Sequence, residues 1–233
     1  MTVRFDYTWE REIYGKRQQL NRYPFDSVVS FVFRNAPEVG PNENVRILEV
    51  GCGAGNNLWF AAREGFRVTG IDASFSAIEY AKSRFAREGL EGDFYVGEFS
   101  DLPFAEEAFD LVIDRAALTH TGFSVAELAV EEIHRVLKMG GRFFFNAFGV
   151  KHTSCTSGHC GPNGVICDVQ EGTLMGVGQV CFYSRRDLER LFRTGWRLLS
   201  VQSHESIETL LPKNTVQAEW RVIAEKKNAG DGA

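Results

Sequence analysis

The chain has 233 residues, 44% of them hydrophobic and 24% charged, which suits one globular domain with a full core. A net charge of −5 without any Lys/Arg-rich run argues against a nucleic-acid partner and against docking on an anionic membrane. No window reaches the roughly 18 apolar residues of a membrane span, and the odd number of five cysteines argues against a disulfide framework and for a reducing cytoplasm.

Residues 1–44 predict a helical cap. Helix-like segments around WEREIYG and SVVSFVFRN are separated by a turn at Asn21-Arg22-Tyr23-Pro24. They are too short for a separate domain, so we expect them to pack over the sheet edge. Tyr14 has two interpretations here: a lid residue that folds over a bound ligand, or a packing anchor.

From residue 45 onward, strands alternate with helices. The predicted strands are VRILEVG, RVTGIDA, DFYVGE, FDLVIDR, RFFFNAF, WRLLSVQSHESI and AEWRVIAEKK, and the predicted helices are 56–64, 75–89, 124–141 and 184–192. This alternation predicts an α/β fold: a Rossmann-like, seven-stranded, mostly parallel sheet with helices on both faces. We expect the main domain to span 45–228. The periodicity lapses over 149–180, which we interpret as a loop insertion on the substrate side.

A glycine turn follows the first strand in ILEVGCGAGNN. Dinucleotide folds use G-x-G-x-x-G at this place, whereas this chain has G-x-G-x-G and puts Asn56 in place of the third dinucleotide glycine. Glu49 would repel a pyrophosphate but would attract an ammonium group. Asp72 ends the second strand, where a carboxylate can accept both hydroxyls of a ribose; the alternative is an N-cap for the next helix.

Four segments resemble, in order and spacing, the class I S-adenosylmethionine-dependent methyltransferases. They are ILEVGCGAGNN, VTGIDASFSAIEYAK, VGEFSDLPFAEEAFDLVIDRAALTH and EEIHRVLKMGGRFFFNAFG. The resemblance is close over 45–148 and loose beyond it. It implies S-adenosylmethionine as the methyl donor, S-adenosylhomocysteine as the product, and the small-molecule branch of the family.

The resemblance also implies site residues. The methionine end of the cofactor would contact Glu49 and the turn, namely Gly51, Cys52, Gly53, Gly55 and Asn56. The adenosine would lie against Asp72, Ala73, Glu98 and Phe99, with Glu98 where the family often has Asp. Asp114 and Arg115 would lie near the reacting methyl group.

The sequence gives fewer signals for the residues that would act on the methyl acceptor. His120 is the leading general base, and His152, in the insertion, is a second catalytic candidate. For both, a structural or solvated loop histidine is the alternative. Cys155, Cys160, Cys167 and Cys181 raise the idea of zinc, but no C-x-x-C knuckle occurs. We therefore expect no metal and treat these residues as isolated thiols.

We predict methyl transfer to an oxygen or nitrogen atom of a small molecule, such as a sugar, a glycan precursor or a secondary metabolite. An NAD-type oxidoreductase and a non-catalytic, cofactor-binding regulator of the same fold are the alternatives. Neither a nucleic acid nor a membrane is an expected partner, and a homodimer is left open.

Overall fold

The computed structural model describes residues 6–18, 20–212 and 214–227. Residues 1–5 of the predicted cap and residue 228 of the predicted domain lie outside the described residues. Among the described residues, no helix has the length and apolar character needed to cross a membrane.

The main sheet has seven strands in the order β3-β2-β1-β4-β5-β10-β9. These strands are β1 (Arg46–Val50), β2 (Arg67–Asp72), β3 (Asp93–Val96), β4 (Phe109–Arg115), β5 (Leu137–Phe148), β9 (Trp196–Ile207) and β10 (Val216–Lys226). The first five are mutually parallel, whereas β10 pairs antiparallel with both β5 and β9. The predicted seven-stranded, mostly parallel sheet is therefore confirmed.

Helices cover both faces of this sheet, as predicted. They are α1 (Asp26–Asn35), α2 (Asn56–Arg63), α3 (Phe75–Glu88), α4 (Phe123–Val136) and α5 (Arg185–Leu191). One core cluster joins α1, α2 and α3 to the sheet through residues such as Val28, Leu58 and Ile78. The other joins α4 and α5 to the opposite face through Ile133 and Leu188. Burial on both faces explains why the central strands are continuous apolar runs.

One predicted helix end and the predicted position of the cap are wrong. The helix expected to end at the paired glycines 140–141 ends at Val136, because Leu137 is already extended (ψ 140°), fully buried and paired with Phe109 of β4. The cap was expected over the sheet edge, but α1 lies against the central strands, where the Phe31 ring stacks on Phe144 with centroids 5.3 Å apart.

The insertion at 149–180 is more regular than its sequence indicates. It contributes β6 (His159–Cys160) and β7 (Val165–Cys167), which form a small antiparallel sheet with β8 (Val180–Cys181). These strands are too short for a period-2 pattern to stand out in the sequence.

Candidate functional site

A cavity of about 260 Å³ lies at the carboxyl ends of β1, β2 and β4. The strand order reverses between β1 and β4, and open α/β sheets bind ligands at such a switch point. The structure brings most of the candidate site residues to its wall: Tyr14, Glu49, Gly51, Cys52, Gly53, Asn56, Asp72, Ala73, Phe99, Arg115 and His120.

The glycine turn follows β1 and brings the backbone close to other segments. Gly51 has φ +62°, and a Cβ built there would lie 2.1 Å from the Cβ of Ala117. Gly53 has φ +51°, and its Cβ would lie 2.3 Å from the hydroxyl of Tyr14. A side chain at either position would therefore block a contact that closes the cavity.

Asp72 fixes the turn to the second strand. Its carboxylate accepts one hydrogen bond from the Gly53 amide and one from the Ser74 amide, each at 2.8 Å. Burial raises the pKa of Asp72 to about 6, against the lowering effect of these two bonds. Ser74, not Asp72, caps α3, since its side chain accepts from the amide of Ala77. The helix-cap alternative for Asp72 is therefore wrong, and lone pairs remain on its oxygens for a ligand.

Glu49 presents a buried carboxylate with one oxygen unsatisfied. Its Oε1 accepts from the side-chain amide of Asn57 at 2.6 Å, whereas its Oε2 has no partner. Burial, together with the negative charges of Asp114 and Asp72, raises the pKa of Glu49 to about 8 against the lowering effect of the Asn57 bond. An unpaired buried carboxylate is costly, so this position favours a cationic ligand group.

Arg115 is the arginine that lines the cavity in the described chain. Its guanidinium lies over the Phe25 ring, 4.0 Å from the centroid, and 3.9 Å from a carboxylate oxygen of Glu219. Its Nε is buried without a partner, and burial lowers its pKa. Arg115 thus gives this end of the cavity a cation, and Glu49 gives it a carboxyl whose ionised form a cationic ligand group would stabilise.

His120 lies on the turn after β4 and is half-buried at the cavity. Its Nδ1 lies 3.2 Å from the backbone carbonyl of Gln179, which can only accept, so Nδ1 carries the proton and Nε2 the lone pair. Burial lowers the pKa of His120 to about 4, so the ring is neutral at pH 7. The imidazole packs edge-on against Trp9, with centroids 4.7 Å apart.

The N-terminal segment 6–14 covers the cavity. Glu10 holds it to the start of α3, where its carboxylate accepts from the hydroxyl of Ser74 and from both the hydroxyl (2.7 Å) and the amide (3.2 Å) of Ser76. Asp6 holds it to the insertion by accepting from the Gln179 amide at 2.8 Å. The Tyr14 ring packs against Trp9, and its hydroxyl lies close to Gly53 of the glycine turn. These contacts match the packing anchor, and the lid over a bound ligand stays a prediction.

Four candidates lie outside the cavity lining: Gly55, Glu98, Asp114 and His152. Gly55 is the left-handed N-cap of α2. Asp114 accepts from the amides of Ala117 (2.8 Å) and Leu118 (3.1 Å), so it shapes the turn that carries His120. Glu98 follows the end of β3, is partly buried, and precedes Phe99 of the cavity lining. Their predicted roles at the site therefore stay predictions.

His152 is held by bonds to the insertion and to β10. Its Nδ1 accepts from the Ser154 amide at 3.0 Å, and its Nε2 lies 2.8 Å from Oε1 of Gln217. Both ring nitrogens are therefore engaged, which matches the structural alternative rather than a proton acceptor.

Cys155, Cys160 and Cys167 of the insertion, Cys181 at the end of β8, and Cys52 are all free thiols. Burial raises the pKa of Cys181 to about 12, which keeps that thiol protonated. In the described part of the chain, no three His, Cys, Asp or Glu side chains are grouped as a metal site would need.

Several cavity residues were not predicted from the sequence: Trp9, Phe25, Asn57, Phe148, Thr173, Leu174 and Val177. The sequence does hold a signal for Asn57, because this residue lies in the first turn of the helix that follows the strand of Glu49. Phe148 is the last residue of β5. The others come from the cap and the insertion, whose approach to the strand ends has no local sequence signal.

Residues 47–141 match the family described as methyltransferase domain. A stretch of 104 residues, 45% of this chain, is 36% identical to the uncharacterized methyltransferase YodH of Bacillus subtilis (strain 168) and covers 43% of it. The match thus spans less than half the length of that relative.

Two solved structures share the fold. The structure titled "Conversion of a Disulfide Bond into a Thioacetal Group during Echinomycin Biosynthesis" aligns with a TM-score of 0.69 over 97% of this chain and 93% of that chain, at 21% identity. The 1,6-didemethyltoxoflavin-N1-methyltransferase of Burkholderia thailandensis, solved with 1,6-didemethyltoxoflavin and S-adenosylhomocysteine, aligns at 0.60 over 87% and 76%, at 18% identity. At these identities the likeness concerns the fold alone.

Proposed function

We propose that this chain is a class I S-adenosylmethionine-dependent methyltransferase that transfers a methyl group from S-adenosylmethionine to an oxygen or nitrogen atom of a small molecule. The match of residues 47–141 to the methyltransferase domain family supports this proposal. The observation that carries this proposal is the buried, unsatisfied oxygen of Glu49 in the cavity wall. It supports a ligand with a positive charge at that point.

The residues present fit the donor. Glu49 would take the ammonium group and Arg115 the carboxylate of the methionine end, which matches one charged side chain to each charge of a zwitterion. Asp72 would accept the ribose hydroxyls, and Ala73 and Phe99 would cover the adenine. When bound, S-adenosylmethionine supplies an activated methyl carbon, which leaves sulfur as the new bond to the acceptor forms.

The same charges oppose a dinucleotide. A pyrophosphate at the glycine turn would lie beside Glu49 and Asp72, whose pKa values are already raised to about 8 and about 6 by burial. Adding two negative charges there would raise the electrostatic cost further. The oxidoreductase alternative is therefore disfavoured.

His120 is the proposed general base. Nδ1 is committed to the Gln179 carbonyl, so Nε2 holds the lone pair that can take the acceptor's proton. This residue separates the catalytic proposal from a cofactor-binding regulator, since a regulator needs no such base. We keep the reducing cytoplasm as the proposed compartment and a homodimer as the proposed alternative to a monomer.

Calorimetry with S-adenosylhomocysteine tests the cofactor, and a thermal-shift comparison with NAD tests the alternative. We expect saturable binding of S-adenosylhomocysteine and no stabilisation by NAD. Stabilisation by NAD alone would contradict the proposal, as would absence of S-adenosylhomocysteine binding at millimolar concentration.

A further inference from the structure

A second depression, the outer cleft, adjoins the cavity. It has a volume of about 590 Å³ and lies between the insertion and the ends of β9 and β10, and it is lined by Thr173, Met175, Ser206, Ile207, Thr215 and Gln217, among others. Thr173 lines the cavity and the outer cleft alike. The two spaces are therefore neighbours that meet at Thr173.

The wall between the two spaces is held by hydrogen bonds. Oε1 of Gln217 accepts from the hydroxyl of Thr173 and from Nε2 of His152, 2.8 Å away. Nε2 of His152 must donate, because its Nδ1 already accepts from the Ser154 amide. With its oxygen occupied by these bonds, Gln217 has its amide nitrogen left to donate to a ligand. His152 is thus a positioning residue for Gln217.

The lining of the outer cleft suits an uncharged, hydroxyl-rich group. Ser206 and Thr215 supply hydroxyls and Glu208 a carboxylate, whereas none of the described lining residues is a lysine or an arginine. Met175 and Ile207 are 58% and 56% exposed and offer apolar surface beside these polar groups. Hydroxyls that need both donors and acceptors, together with apolar C–H faces, are the chemistry of a glycosyl unit. A phosphate or carboxylate would find no cationic partner among these lining residues.

We propose that the outer cleft is the subsite for the remote part of an elongated acceptor, a neutral glycoside whose reacting hydroxyl lies in the cavity beside His120. This inference rests on the proposed function and narrows its acceptor. It assigns the cavity to the donor and the reacting group, and the outer cleft to a second unit bound through Gln217 and the apolar pair.

The test uses protein loaded with S-adenosylhomocysteine and three probes: 4-nitrophenyl glycosides of one and of two neutral hexose units, and 4-nitrophenyl glucuronide as the anionic analogue. Saturation-transfer NMR gives their dissociation constants. The variant is Ile207→Arg, and the matched control is Leu128→Arg on α4, where an apolar residue 44% exposed receives the same change away from both spaces. Met175→Arg is the second variant if Ile207→Arg does not fold.

We expect the two-unit glycoside to bind at least about tenfold more tightly than the other probes, which corresponds to a contribution of about 1.4 kcal/mol from the second unit. Ile207→Arg should remove that advantage, whereas Leu128→Arg should keep it. Equal binding of one-unit and two-unit probes, preference for the anion, no binding of any probe, or no effect of either cleft variant would overturn the inference. Loss of S-adenosylhomocysteine binding in the unsubstituted protein would instead remove the proposed function.

Discussion

Replacing Glu49 with glutamine should change stability and ligand binding in opposite directions. The carboxyl is 2% exposed, and burial raises its pKa from 4.5 to about 8. Because this carboxyl binds its proton more tightly in the folded protein than in the unfolded chain, the wild type loses stability as the pH rises from 4.5 towards 8. At pH 7 this amounts to about 3 kcal/mol, at about 1.4 kcal/mol per pH unit.

Glu49→Gln removes that loss but places an amide nitrogen where the Oε2 atom has no partner. An unsatisfied buried donor costs about 1 kcal/mol or more, so we expect a net gain of about 2 kcal/mol for the empty protein at pH 7. The same variant should bind S-adenosylhomocysteine about 10 to 100 times more weakly, since it lacks the charge that pairs with the ammonium group.

Urea unfolding of both proteins at pH 5 and pH 7.5 measures the first effect, and calorimetry at pH 7.5 measures the second. The stability gain should be present at pH 7.5 and absent at pH 5, where the carboxyl is protonated. A stability gain that does not depend on pH, or an unchanged affinity for S-adenosylhomocysteine, would refute the reasoning that Glu49 is a buried carboxyl whose charge binds the ammonium group of the ligand.

Three further outcomes follow from the site. Asp72→Ala should weaken S-adenosylhomocysteine binding at least about tenfold, since the ribose acceptors and the anchor of the Gly53 amide are lost together; an unchanged calorimetric affinity would argue against the ribose role. His120→Ala should lower turnover about 100-fold or more with unchanged S-adenosylhomocysteine affinity. Because the pKa of His120 is about 4, titration of this residue should not change the wild-type rate between about pH 5.5 and 8. Glu10→Ala should release the N-terminal segment from α3, so hydrogen exchange of 6–18 should rise, whereas Glu12→Ala, which changes an exposed residue, should leave it unchanged.

The strand ends were predictable because local sequence determines them. Each apolar run is followed by a turn residue, so the positions of Glu49, Asp72 and Arg115 at one edge follow from strand order and parallel pairing. The capping box of α5 is likewise present, with Ser184 and Asp187 bonded to each other's backbone amides, because it depends on residues three apart.

The acceptor side was less predictable because it depends on contacts distant in sequence. Asp6 bonds the amide of Gln179, and His152 bonds Gln217 across 65 positions. Such pairs leave no periodic pattern in the sequence. His152 was therefore predicted as a catalytic candidate, although its ring nitrogens form hydrogen bonds in the wall of the outer cleft. Asp114 shows the same effect at short range, since its carboxylate turns towards the backbone of Ala117 and Leu118.

A crystal structure with S-adenosylhomocysteine tests the central claim most directly. The account predicts that the ligand's ammonium nitrogen lies within hydrogen-bonding distance of Oε2 of Glu49, with both ribose hydroxyls on Asp72 and the sulfur directed towards His120. A ligand bound elsewhere, or one whose ammonium group faces away from Glu49, would contradict it.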